Sequence, residues 1–130
     1  MIRILDVRQP GQALLELRGH AGALNCVEWS PTRRGTLASG ADDCQVLIWD
    51  LINQAQGQAQ VVPNGTTAPG AVGGVAGAPA AAGDNVRSPV ASWQCDYEVG
   101  NVGWVPHLAT GEYGEWLGVS AGRGVWGVRV

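Results

Sequence analysis

The residues of this chain whose types and spacing could do chemistry are His20, Asp42 and Asp43, with Cys44 directly after them. An imidazole near two carboxylates can serve as a general base with its orienting group, or supply part of a metal-ligand set. Cys44 has the element of a nucleophile, but adjacent carboxylates raise a thiol pKa and suppress the thiolate. A G-x-G-x-x-G string occurs at Gly122-Arg123-Gly124-Val125-Trp126-Gly127. It lacks the following helix and acidic residue that a dinucleotide site requires, so it reads as a glycine-rich hairpin. His107 follows Pro106 in an expected loop, with nothing nearby to pair with it.

A wider spacing absorbs the first of these groups. Gly19-His20 is followed by 28 intervening residues and then Trp49-Asp50; Ser39 ends an expected strand, Asp43 lies in the next turn, and Trp49 stands six residues beyond it. This arrangement resembles the GH…WD signature of one WD-repeat propeller blade, a unit of about 40–45 residues. The resemblance implies a buried polar relay of His20, Asp43, Ser39 and the Trp49 indole N–H. The residue types suit that role. Tryptophan has a large apolar body and one donor that needs a partner when buried, serine both donates and accepts, and an aspartate accepts from imidazole and backbone. A fully satisfied network fixes one geometry, whereas a half-satisfied one destabilises it. His20, Ser39, Asp43 and Trp49 are therefore expected to be structural, with no metal, cofactor or catalytic role.

The elements that must position these residues are short strands. Ile2, Ile4, Leu5 and Val7 form a first run, ended by Gln9-Pro10-Gly11, which reads as a turn. Leu24 to Trp29, Thr36 to Ser39 and Gln45 to Asp50 follow, the last apolar on both faces and so expected to be central. From residue 52 to 89 the sequence becomes rich in Ala, Gly and Pro. So few large side chains cannot offset ordering entropy, and the segment is expected to be a disordered insert. Strand patterns return at Val90 to Trp93, Val102 to Val105, Glu115 to Val119 and Gly124 to Val130. Val27 to Pro31 aligns with Val102 to Pro106, and Leu37 to Val46 with Leu117 to Trp126. In this second unit Cys95 replaces His20, Arg123 replaces Asp43, and Arg129-Val130 replaces Trp49-Asp50, leaving packing to Trp104, Trp116 and Trp126.

The expected fold is all-β: a partial WD-repeat propeller of about two blades. Residues 1–51 would hold the outer strand of a preceding blade and one well-formed repeat, 52–89 the insert, and 90–130 a degenerate terminal repeat. Because a closed propeller needs four to eight blades, a truncated product without independent function is one expectation; assembly with other chains is the alternative. Composition agrees with a turn-rich β protein, with 20 glycines and only 15% charged residues among 130. The net charge of −3, carried against eight arginines and no lysine, gives no reason to expect nucleic acid. Three scattered cysteines make no disulfide framework. The N-terminus lacks a signal-peptide core and no stretch is apolar enough for a membrane span, so the Asn64-Gly65-Thr66 sequon is expected to be fortuitous. Cytoplasm or nucleus is the expected location.

Ile4 to Arg8, Ala41 to Asp50 and the end at Val128-Arg129-Val130 resemble the transparent-testa-glabra/anthocyanin-regulator WD-repeat adaptors over residues 1–51 and 90–130. That resemblance implies a non-catalytic platform for kinases, transcription factors or ubiquitin-ligase adaptors. Trp49-Asp50-Leu51-Ile52 lacks the arginine of the W-D-x-R signature, so a substrate-receptor role is less supported. Partner contacts are expected at Asp42, Ala23 and Asn25, on the end where the turns converge. Arg33-Arg34 are expected at the opposite end.

Overall fold

The computed structural model describes residues 1–53, 85–105 and 115–130. Ten strands occur among them: β1 (Ile2–Asp6), β2 (Gln9–Leu17), β3 (Leu24–Trp29), β4 (Thr36–Ala41), β5 (Gln45–Asp50), β6 (Val86–Arg87), β7 (Ala91–Gln94), β8 (Val99–Val105), β9 (Trp116–Ala121) and β10 (Gly124–Arg129). They form three sheets, ordered β1-β2-β6, β3-β4-β5-β7 and β8-β9-β10. The middle sheet is a complete four-stranded blade, antiparallel throughout. No helix among the described residues is long and apolar enough to cross a membrane.

The two-faced apolar run of β5 explains how the sheets stack. Side chains alternate across a strand, so Leu47 and Trp49 pack with Leu17 and Leu37 against the first sheet. Val46 and Ile48 pack the other way, with Val99, Val102, Leu117 and Val119 of the third sheet. The middle blade is thus covered on both faces, and every residue of β4 is buried. Between the middle and third sheets the approach is close at Gly40, where a Cβ would lie 2.4 Å from Val99 Cγ1 and 2.9 Å from Cys26 Sγ. Two further ties join the same sheets. Glu28 accepts the Trp104 backbone N–H at Oε2 (3.0 Å) and the indole N–H at its carbonyl (3.2 Å). Arg33 and Thr32 both engage Glu115, the arginine at 2.9 Å.

The structure differs from the sequence expectations in three places. The preceding blade contributes a hairpin, β1 with β2, rather than one outer strand. The turn is Val7-Arg8, held by Asp6 accepting the Arg8 backbone N–H at 2.9 Å, and Gln9-Pro10-Gly11 opens β2. A proline is tolerated there because β2 is unpaired on its far side over that stretch among the described residues, so no ladder bond is lost. Second, Val86–Arg87, inside the span assigned to the insert, form β6, which pairs in parallel with β2 through Glu16↔Val86 and Leu17↔Arg87. Residues 54–84 of that span, with the sequon, lie outside the described residues, as does His107.

Third, the alignment of the two repeats slips by one residue after β9. The turn Gly122-Arg123 has two residues between paired Ala121 and Gly124, one fewer than the turn between β4 and β5. Val46, paired with Gly40, therefore corresponds to Val125, paired with Ser120, rather than to Trp126. Trp49-Asp50 corresponds to Val128-Arg129 instead of Arg129-Val130, from the pairs Leu37↔Trp49 and Leu117↔Val128. Packing of the third sheet rests on Val99, Leu117 and Val119, each fully buried, with Trp104; Trp116 and Trp126 are only partly covered.

Filling the Gly40 gap tests this stacking. Gly40→Ala is expected to lower stability by about 1–3 kcal/mol, as overpacking does, read as a lower urea midpoint; an unchanged midpoint would mean the two sheets are not in contact there.

Candidate functional site

The four relay residues come together as the resemblance to a WD-repeat blade implied. Trp49 Nε1–H donates to Ser39 Oγ at 2.8 Å, Ser39 Oγ lies 2.7 Å from His20 Nε2, and His20 Nδ1 lies 3.0 Å from Asp43 Oδ2. The ends of this chain fix its direction. An indole only donates and a carboxylate only accepts, so Ser39 accepts from Trp49 and the His20 Nδ1–H donates to Asp43; with its one proton on Nδ1, the ring accepts at Nε2 from the Ser39 hydroxyl. Ser39 is 0% exposed and the His20 side chain 1%, so a broken link would leave buried groups without water. The two rings also meet, 6.5 Å apart and tilted by 57°.

Asp43 draws the backbone into the same network. Its Oδ2 accepts the Ala21 N–H at 2.8 Å and its Oδ1 the Gln45 N–H at 3.1 Å. Burial pushes its carboxyl up, but the donors from Ala21, His20 and Gln45 outweigh this and hold it below the usual carboxylate range. The His20 loop and the Asp43 turn are pressed together, since a Cβ at Gly22 would lie 2.6 Å from Asp43 N.

Asp42 turns the other way and is exposed. Its Oδ1 accepts from Asn25 Nδ2 at 2.7 Å, and its backbone N–H donates to Ala23 O at 2.9 Å. The three residues expected at the converging turns are therefore in contact and all exposed. Asn25 Nδ2 also donates to Val99 O at 3.0 Å, tying this surface to the third sheet. His20, Asp42 and Asp43 do not converge on one point, because Asp42 is engaged with Asn25 while His20 and Asp43 engage each other. Among the described residues no group of three or more His, Cys, Asp or Glu is placed to hold a metal ion. The glycine string 122–127 is the β9–β10 hairpin.

Two positions escaped sequence reasoning. Cys44 has φ 63°, the only positive value among described non-glycine residues; nothing in a cysteine announces it. Tyr97 is 54% exposed and packs on Gly122, near the same surface; its exposure depends on a tertiary contact invisible in sequence.

Ser39→Ala is expected to cost on the order of 1–3 kcal/mol by stranding the Trp49 N–H and His20 Nε2, measured by chemical unfolding. The Asp43 carboxylate adds a pH dependence. A depressed folded-state pKa gives stability that is present above the unfolded value of about 3.9 and is lost as pH falls through the folded value. Stability measured from pH 6 down to pH 2 is expected to fall more steeply in the native protein than in Asp43→Asn; identical slopes would remove Asp43 from the account.

Comparison with known proteins agrees with this geometry. The family model of the WD domain, G-beta repeat matches residues 11–50, the span from β2 to the end of β5. A WD repeat-containing protein of Schizosaccharomyces pombe is 36% identical over 121 residues, covering 79% of this chain and 27% of that protein. Another, of Saccharomyces cerevisiae, is 31% identical over 153 residues, covering 99% and 28%. The GATOR2 complex protein WDR24 of Homo sapiens is 34% identical over 50 residues, 38% of this chain and 6% of that protein. The chain thus spans about a quarter of the length of the two yeast relatives. With its stacked sheets and the relay of one well-formed blade, the chain is a member of the WD-repeat superfamily, an all-β partial propeller.

Proposed function

We propose that this chain is part of a non-catalytic platform on which other proteins assemble, with Asp42, Asn25 and Ala23 at the contact surface. The observation that carries this reading is the division of labour between adjacent aspartates. Asp43 is consumed by the relay, while Asp42 is exposed and held in place by Asn25. A charged group pre-positioned on a rigid turn loses little entropy on binding, which favours recognition. WD-repeat domains in general serve as scaffolds, and WDR24 is by its name a protein of the GATOR2 complex.

The finer reading follows from the resemblance to the transparent-testa-glabra type adaptors. It takes the partners to be kinases, transcription factors or ubiquitin-ligase adaptors, and the place of action to be cytoplasm or nucleus. The relay supports a structural rather than acid–base role for His20, because both ring nitrogens are engaged.

A second reading is favoured by a specific observation. Val27 and Trp29 of β3 are 53% and 51% exposed, and Leu14 of β2 48%. Apolar exposure of this kind is an aggregation hazard unless something covers it. On this reading the span has no function apart from further blades.

Affinity capture from a cell extract separates these readings. With the complete polypeptide, Asp42→Lys is expected to weaken at least one partner tenfold or more, about 1.4 kcal/mol, with the unfolding midpoint unchanged. Equal recovery of every partner by the folded variant would sink the proposed surface.

A further inference from the structure

Cys44 and Cys95 stand opposite one another at the end of the β5–β7 ladder. The ladder runs through Val46↔Trp93 and Gln45↔Gln94 and continues with the Cys95 N–H donating to Cys44 O at 2.7 Å. The Cys44 N–H itself turns back to Ala41 O at 3.3 Å, so the pair shares a single bond; opposed residues of an antiparallel ladder have Cα atoms about 4.5–5.5 Å apart, inside the range of about 4.4–6.8 Å that disulfides span. Both thiols are free. Cys44 also occupies a backbone conformation, φ 63°, that favours glycine or asparagine. Its packing does not account for a cysteine there: it is partly exposed, and its side-chain hydrogen bond is a weak one, 3.8 Å to Asp42 O.

We propose that Cys44 and Cys95 are a redox-sensitive pair that closes into a cross-strand disulfide under peroxide. Cys44, the more exposed, reacts first: its thiolate attacks the peroxide, the O–O bond breaks, and a sulfenic acid and one water result. The Cys95 sulfur then attacks the sulfenic sulfur, forming the S–S bond and releasing a second water. Two thiols lose two electrons and two protons, and one hydrogen peroxide becomes two waters. Burial and the carboxylates of Glu98, Asp43 and Asp42 push the Cys44 thiol up, with Cys95 adding to the effect. The first step is therefore slow, and the proximity of Cys95, itself 7% exposed, makes the second selective. The bond would fasten β7 to the residue that follows the Asp42-Asp43 turn. It rests on the fold alone and stands or falls separately from the proposed partner surface.

The test uses the full chain, treated with hydrogen peroxide, alkylated, digested and analysed by mass spectrometry. Expected are one Cys44–Cys95 cross-link, an alkylated Cys26, and an unfolding midpoint raised on the order of 10 °C and restored by dithiothreitol. Cys44→Ser and Cys95→Ser are each expected to abolish both the link and the shift. The same oxidation in guanidinium is expected to scramble the pairing among all three cysteines. Three alkylated thiols after peroxide, a link involving Cys26, a bond between chains, or a native pairing no more selective than the denatured one would overturn the proposal.

Discussion

The Ser39 hydroxyl is the point on which the middle blade turns. It is fully buried and holds two partners, the Trp49 indole at 2.8 Å and His20 at 2.7 Å. The single donor of Trp49, a residue 1% exposed, is satisfied by this hydroxyl. From this hydroxyl the network passes through His20 to Asp43, and from Asp43 to the backbone at Ala21 and Gln45. Strand β4, strand β5, the loop before β3 and the turn between β4 and β5 are thereby fixed to one another by a set of polar groups that must all be satisfied together.

The third sheet shows what the relay adds. It has the same three-strand pairing, yet Cys95, Val119 and Val128 stand where His20, Ser39 and Trp49 stand. These residues leave the third sheet without a relay of its own; its polar ties run to the middle sheet, from Trp104 to Glu28 and from Glu115 to Arg33. The difference lies in the turn: two residues between β9 and β10, against the longer turn that carries Asp42, Asp43 and Cys44. A sheet can be packed by hydrophobic burial alone, whereas a projecting turn has little apolar surface to bury and needs hydrogen bonds to hold one conformation. The relay is therefore a device for positioning the turn, and Asp42 is what the turn presents.

Much of this was legible in sequence. The run Gln45 to Asp50 announced a strand covered on both faces, and the resemblance to a WD-repeat blade implied the convergence of His20, Ser39, Asp43 and Trp49, to which their hydrogen-bonding repertoires are suited. The failures have physical causes. Gln9-Pro10-Gly11 carries turn chemistry, but a stretch of strand paired on one side only tolerates those residues, so local propensity misplaced the start of β2. Val86 and Arg87 sit in weakly patterned surroundings and become a strand only because β2 offers an unpaired edge. The turn after β9 is one residue shorter than its counterpart after β4, and a short apolar repeat carries no mark of that difference. The ties of Glu28 to Trp104 and of Arg33 to Glu115 join residues more than 70 positions apart and leave no local mark.

The direction of the relay can be read directly from the His20 ring. Nitrogen-15 NMR at neutral pH distinguishes a protonated ring nitrogen from one that accepts a hydrogen bond. The expected result is a proton fixed on Nδ1, facing Asp43, with Nε2 accepting from Ser39. A proton residing on Nε2, or a ring averaging rapidly between the two forms, would contradict a relay anchored at the Ser39 hydroxyl.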